Sequence, residues 1–387
     1  MKALEKIRVI EFCQVAAGPF AGMLLADLGA DVIKVEPPGQ GDSLRSWPPH
    51  SNGFSENFAA LNRNKRSVVL DLKSERGTRA ARRLIETADV VIENNRPGVM
   101  ARLGLDYATV KPLNDKLVYC SISAFGQSGP RATDGGFDTA VQAASGIMSV
   151  TGAEDGAPAK AGVPVADLST ALYAAYTIGA LLRRVAAGGS GSYIDMSMLG
   201  ASLGVSAFQT SEFFGTGKDP VRHGSAHPRN APYEAFKTRD AYFVLAAAND
   251  KLWASVCKVI GRIDLVDDMR FSTTASRAAN QVELKECLEE IFAGDDAANW
   301  IERLRAEGVP CEPINTYSAA LDEPQVIHSG WLSDLMLASG VQTRAFGFPA
   351  IIDGENPPIY RRAPSLGEHT EEIFDEIGLG DAATQID

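Results

Sequence analysis

The sequence predicts an α/β protein: a Rossmann-like, doubly wound parallel sheet with a second, smaller α+β domain. Three observations lead there. The first 36 residues read strand, glycine-containing turn, helix, strand; the alternation repeats as far as KLVYCSIS; and from about residue 215 short strands and amphipathic helices replace the long apolar runs.

Taken in order, IRVIEF and ADVIKVE are apolar enough to be strands buried on both faces, as parallel strands are. Between them QVAAGP makes a turn and FAGMLLADLG a helix, with Gly29 where a helix C-cap belongs. RSVVLDL, the helix ERGTRAARRLIETA and the strand DVVIEN continue the pattern, and Arg79, Arg82 and Arg83 recur at helical spacing, which predicts a solvated face. Two glycine-rich loops, FGQSGPRATDGG and GIMSVTGAEDGAPAKAGVP, precede a long apolar helix in LSTALYAAYTIGALLRRVAAGG and a strand at SYIDMS. Loops of that size usually carry function. Residues 1–215 are thus expected to form a large domain and 216–324 a small one, with the proline-rich segment 325–387 returning to wrap onto the large domain.

Composition narrows the chemistry. Over 387 residues, 45% hydrophobic and 22% charged is an ordinary globular mix, and no segment approaches the roughly 20 apolar residues that span a bilayer. The start, MKALEKIRVIEF, lacks the apolar core of a signal peptide, so a cytoplasmic protein is expected. A net charge of −12 argues against nucleic acid or a membrane surface as partner, and an anionic small molecule would need a local basic cluster. The five cysteines are scattered with no C-x-x-C pair and are expected to be mostly buried thiols. QVAAGPFAG lacks the G-x-G-x-x-G fingerprint, which leaves Glu36 insufficient for a dinucleotide, and neither a P-loop nor a G-x-S-x-G elbow occurs. His223 and His227 stand four apart but within RHGSAHPRN, a loop, so no metal site is expected.

What remains is a set of short motifs in a distinctive order: VAAGPFAGMLLADLGADVIKVEPPGQGDSLR, LNRNKRSVVLDLK, ADVVIENNRPGVMARLGLDY and LVYCSISAFGQSGP. Together they resemble the class III CoA-transferase family, which includes the formyl-CoA and carnitine CoA-transferases and is related to α-methylacyl-CoA racemase. The resemblance runs from residue 7 to about residue 210 and resumes weakly at APSLGEHT. It implies transfer of CoA from an acyl-CoA to a carboxylic acid through a covalent aspartyl intermediate, with no cofactor beyond CoA as co-substrate, in a homodimer whose chains interlock. The family's catalytic aspartate falls at Asp167. Read on its own, Asp167 stands at or near a helix N-terminus, either as an N-cap or as a nucleophile that the free N–H groups of the helix keep ionised.

By the same resemblance, CoA contacts are expected at Val15, Ala16, Leu72, Lys73, Asn94, Asn95, Arg96 and Arg102. The phosphates of CoA need cations, and Asn62, Arg63, Asn64, Lys65 and Arg66 form the densest basic run outside a helix, with Lys73 just beyond. Pro37 and Pro38 stand where some members have an arginine. The related racemases use a histidine directly before an aspartate as paired acid and base; here Phe137 precedes Asp138, and phenylalanine carries no proton. Asp138 resembles the acid that transferases keep, a second catalytic candidate whose plain reading is an N-cap for TAVQAASGIM. AHPRNAPYEAF resembles members acting on small dicarboxylates such as succinate, itaconate, mesaconate or citramalate. A donor such as succinyl-CoA and a dicarboxylate acceptor are therefore expected, with His227 and Arg229, or Arg222, near the second carboxylate. An acyl-CoA racemase or isomerase and a non-catalytic CoA-binding protein are the alternatives.

Overall fold

In the computed structural model, which describes residues 2–379, strands β1 (Arg8–Phe12), β2 (Asp31–Glu36), β3 (Lys65–Val69), β4 (Val90–Glu93), β5 (Val118–Ser123) and β6 (Ser192–Ser197) lie parallel in one sheet. Their order is β3–β2–β1–β4–β5–β6. The order reverses between β1 and β4, and in open parallel sheets ligands bind in the crevice that this switch point opens at the carboxyl ends of the strands.

The apolar runs build two layers. On one face Val9, Val32, Val90 and Ile92 pack with α1 (Ala17–Asp27) and with the stripe Ala171, Ala174 and Ile178 of a long helix. On the other, Ile10, Ile33, Val35 and Val91 pack with α2 (Glu75–Glu86) and with Ile373 and Phe374 of the terminal helix Thr370–Glu376. Gly29 follows α1 at φ +101°, a left-handed position that glycine adopts without a Cβ penalty. Helix α2 starts where the Ser74 side chain accepts from Gly77 N, buries Ala80, Ala81, Leu84 and Ile85, and leaves Arg79, Arg82 and Arg83 in solvent. Two further helices matter for the site, α3 (Asp138–Ala144) and the long helix itself, α4 (Val165–Ala186). Helix α4, with 22 residues, is long and apolar enough to cross a membrane by length and composition, which amends the sequence reading; its buried stripe is part of the core.

The basic run 62–66 does not serve as expected. All five residues are buried: Arg63 pairs with Asp27 at 2.6 Å, Lys65 with Glu11 at 2.8 Å, and Arg66 with Asp31 and Glu376, both at 2.6 Å. These cations are consumed by internal carboxylates, because a buried charge left unpaired costs several kcal/mol, on the order of 3–5. The C-terminal segment joins the same region, where Asn64 N donates to Arg361 O and His369 N to Ser67 O. Cys13, Cys120, Cys257 and Cys311 are buried and Cys287 is half-buried, all as free thiols.

The backbone divides into two units. The first holds the sheet, with residues 2–147, 161–217 and 324–379; the second comprises 148–160 and 218–323. Within the second, β7 (Tyr233–Lys237), β8 (Tyr242–Ala246) and β9 (Cys311–Pro313) form an antiparallel sheet around Phe236, Phe243, Phe292 and Trp300. The sequence grouped 148–160 with the large domain. The structure ties it to the second unit, where Arg222 donates to the carbonyls of Ala153, Glu154 and Gly156 and Gly224 N to Gly152 O, contacts that no local pattern announces.

Candidate active site

The chain leaves β1 through Cys13–Ala16 to enter α1, and leaves β4 through Asn94–Arg96. These two loops flank the switch point. With Ser123 at the end of β5 and Ala124 after it, Gly136 and Phe137 before α3, and Met198 after β6, they line a cleft of about 470 Å³. Asp167, the third residue of α4, lines the same cleft.

Of the residues expected to meet CoA, Val15, Ala16, Asn94, Asn95 and Arg96 come together here. The two asparagine side chains are turned inward. Asn94 accepts from Gln14 N at 2.9 Å and donates to Gln14 O at 2.8 Å, while Asn95 donates to Phe12 O at 3.2 Å. These bonds tie the loop after β4 to the loop after β1 and so fix the cleft wall. Gln14, Ala17, Ser123, Ala124 and Met198 also line the cleft and were not singled out from sequence. The signal that could have found them is topological: they lie at or just beyond the carboxyl ends of strands.

Asp167 is not an N-cap, since Pro164 holds that position. Nor do free N–H groups hold its carboxylate ionised, as the sequence suggested, because the first donors of α4 are taken. Ala166 N and Asp167 N donate to Asp138 Oδ1 at 2.9 and 3.3 Å, and Val165 N to Val163 O at 2.8 Å. Burial first, and the neighbouring Asp138 carboxylate second, push the Asp167 carboxyl up to about 7. Asp138 likewise does not cap its own helix, being the first residue of α3 after Phe137. It caps α4 from outside, and Gln142 steadies it, donating to Asp138 at 2.6 Å while accepting from Ala161 N at 2.9 Å. The result is a partly buried carboxyl, half ionised near neutrality, in a cleft at the carboxyl ends of the strands. Such a group is basic enough to attack an acyl carbon.

A profile of CoA-transferase family III matches residues 4–370. The chain belongs to CoA-transferase family III. It is 41% identical over 382 residues to the succinate–glutarate CoA-transferase of Agrobacterium fabrum, covering 97% of this chain and 95% of that one. It is 37% identical over 384 residues to the mouse succinyl-CoA:glutarate CoA-transferase, covering 97% and 87% respectively. Among solved structures, a CAIB/BAIF family protein from Brucella suis superposes with a TM-score of 0.86 at 38% identity, over 97% of this chain and 99% of that one. The protein is therefore an enzyme that transfers CoA, with CoA thioesters as co-substrates.

The remaining expected CoA contacts of this family III transferase lie in a different groove. Leu72, Lys73 and Arg102 line it, also of about 470 Å³, and exposed Arg79 and Arg82 add their charges there. The solvated arginine face of α2 is thus also a groove wall. In the second unit, His227 Nδ1 accepts from Arg229 N at 3.2 Å and Asn230 N at 3.1 Å, and its ring stacks on Tyr233 at 5.2 Å. Burial, then Arg229 and His223, push its pKa below the usual value, in keeping with a neutral ring that organises this turn. Arg229 is exposed beside it, and the Arg222 guanidinium donates to carbonyls of the 153–156 loop.

Proposed function

We propose that this transferase moves CoA from succinyl-CoA to a small dicarboxylic acid such as glutarate, with Asp167 as the nucleophile. The observation that carries the reading is Asp167 in the switch-point cleft with its carboxyl raised to about 7. Its carboxylate attacks the thioester carbonyl, and the tetrahedral intermediate expels CoA thiolate to leave a mixed anhydride. The thiolate returns to the aspartyl carbonyl and releases the donor as its carboxylate, leaving an aspartyl-CoA thioester. The acceptor carboxylate attacks that thioester, and thiolate then adds to the acceptor carbonyl, freeing Asp167. Each step exchanges one activated acyl bond for another, so no net proton or external energy source is needed. Holding carboxylate and thioester together supplies the rate, since effective molarities reach about 10⁵ M or more. Asp138 acts by capping α4 and by raising the Asp167 carboxyl.

Val15, Ala16 and Arg96 would meet the thioester end of CoA, and Lys73 and Arg102 its phosphates. The preference for dicarboxylates rests on the two relatives named for glutarate. Phe137, 82% exposed at the cleft, offers no base for racemisation. The protein is proposed to work as an interlocked homodimer in the cytoplasm.

The test follows an oxygen atom. With an acceptor acid labelled in both carboxylate oxygens, one turnover should leave one labelled oxygen in the peptide containing Asp167, because the bridging oxygen of the second anhydride stays with the enzyme. Label in the product alone would sink the covalent route.

A further inference from the structure

Among the described residues, five other than glycine have left-handed backbone: Lys6, Val15, Asn52, Asn64 and Asp353. Asparagine and aspartate tolerate that region, but a β-branched residue there is a true outlier, and Val15 sits at φ +65°. Strain of this kind persists only where the surroundings over-determine it, and it gathers at functional sites. Val15 lines the cleft that holds Asp167.

What determines it is a buried charge network under the loop. Val15 N donates to Asp42 Oδ1 at 3.0 Å, and Asp42 Oδ2 pairs with Lys34 Nζ at 2.9 Å. Lys34, reaching across from β2, also donates to Cys13 O at 2.8 Å and to Glu11 Oε1 at 2.9 Å. The side chains of Lys34, Asp42 and Glu11 are wholly out of solvent. From the other side Asn94 clamps both polar groups of Gln14. Three successive residues, 13 to 15, are thus each pinned by a side chain from another element. A buried ammonium and carboxylate are a costly way to fill space, and apolar residues of equal volume often serve stability as well or better. The pair's distinctive effect here is local: it fixes the peptide before Val15 and so the direction in which the chain enters α1.

We propose that Lys34 and Asp42 are positioning residues for CoA transfer. They touch no substrate. They hold Val15 left-handed, and this sets the wall formed by Val15, Ala16 and Ala17 against which the acyl-CoA thioester lies as Asp167 attacks. The proposal rests on the reading of the Asp167 cleft as the acyl-CoA site.

A double-mutant cycle tests it, with kcat/KM for succinyl-CoA as the readout and thermal unfolding as the check on folding. Asp42→Asn keeps the shape but removes the counter-charge of Lys34, and misplacement of the wall should lower kcat/KM on the order of a hundredfold. Glycine takes positive φ without help. In a Val15→Gly background, whatever that variant's own activity, adding Asp42→Asn should therefore cost less than about tenfold, a coupling that a general structural role would not produce. Equal losses in the two backgrounds overturn the proposal, and so does failure to fold in both. Folding rescued by Val15→Gly would support it. Asp167→Asn, assayed alongside, separates the two readings. If that variant stays active, the cleft assignment itself is wrong; if it is inactive while the cycle is additive, only the positioning role falls.

Discussion

At the scale of the residue, Asp167 carries two opposite pH dependences that follow from one shift. Its folded pKa of about 7 lies above the roughly 3.9 of an unfolded aspartate. Attack needs the ionised form, so kcat/KM should rise with pH through about 7 and then level, as measured at saturating acceptor. Asp138→Asn removes the like charge but not the burial, and the rise should move to lower pH without reaching the ordinary carboxylate range. An unmoved profile would show that Asp138 is not a source of the shift. Stability runs the other way. A raised carboxyl favours the folded state fully below the unfolded pKa, and this contribution is lost as pH rises through about 7. Asp167→Asn should therefore be inactive yet more stable than the parent in urea at pH 8, with the difference shrinking toward pH 4; retention of a tenth of the parent's turnover would remove Asp167 from the chemistry. Sequence pointed to Asp167 and to Asp138. It could not show that a carboxylate from residue 138 would take the donors at the start of α4, because that bond spans 28 residues and two elements.

Elements were legible where their own residues determine them. The continuous apolar runs of β1, β2 and β4 and the one-sided face of α2 need no knowledge of partners, and they lie where the pattern put them. The run 62–66 was misread for the converse reason, since whether Lys65 meets solvent or Glu11 depends on an element more than 50 residues away. Helix α1 makes the point quantitative. Replacing a helical glycine by alanine normally stabilises by about 0.5–1 kcal/mol. At Gly22 the new Cβ would collide with Glu11 Oε2, within the buried Glu11–Lys65 pair. Overpacking costs about 1–3 kcal/mol, and a displaced buried charge adds to it. Gly22→Ala should therefore destabilise by about 2 kcal/mol, read from denaturant midpoints at constant m. A gain in stability would show that Glu11 can withdraw freely.

For the whole molecule, assembly is the first question. Leu172, Tyr173 and Tyr176 on α4, with Phe208, Phe213 and Phe214 beyond it, are exposed in the single chain. Apolar side chains in such numbers usually mark an interface. The proposed homodimer should have no stable monomer, so its unfolding midpoint should fall on serial dilution. Sedimentation that finds folded monomer at micromolar concentration would contradict this. Synthesis poses the second question. The strands β1 to β6 precede residue 198, yet the layer over Ile10 and Val91 is closed by Ile373 and Phe374, and Arg66 finds Glu372 and Glu376 only there. A ribosome thus delivers a nearly complete sheet, then most of the second unit, and the cover for the first layer last. Until that cover emerges, apolar surface stands open and Arg66 has Asp31 but lacks its two C-terminal carboxylates, an exposure of the kind that makes a nascent chain prone to misassociation.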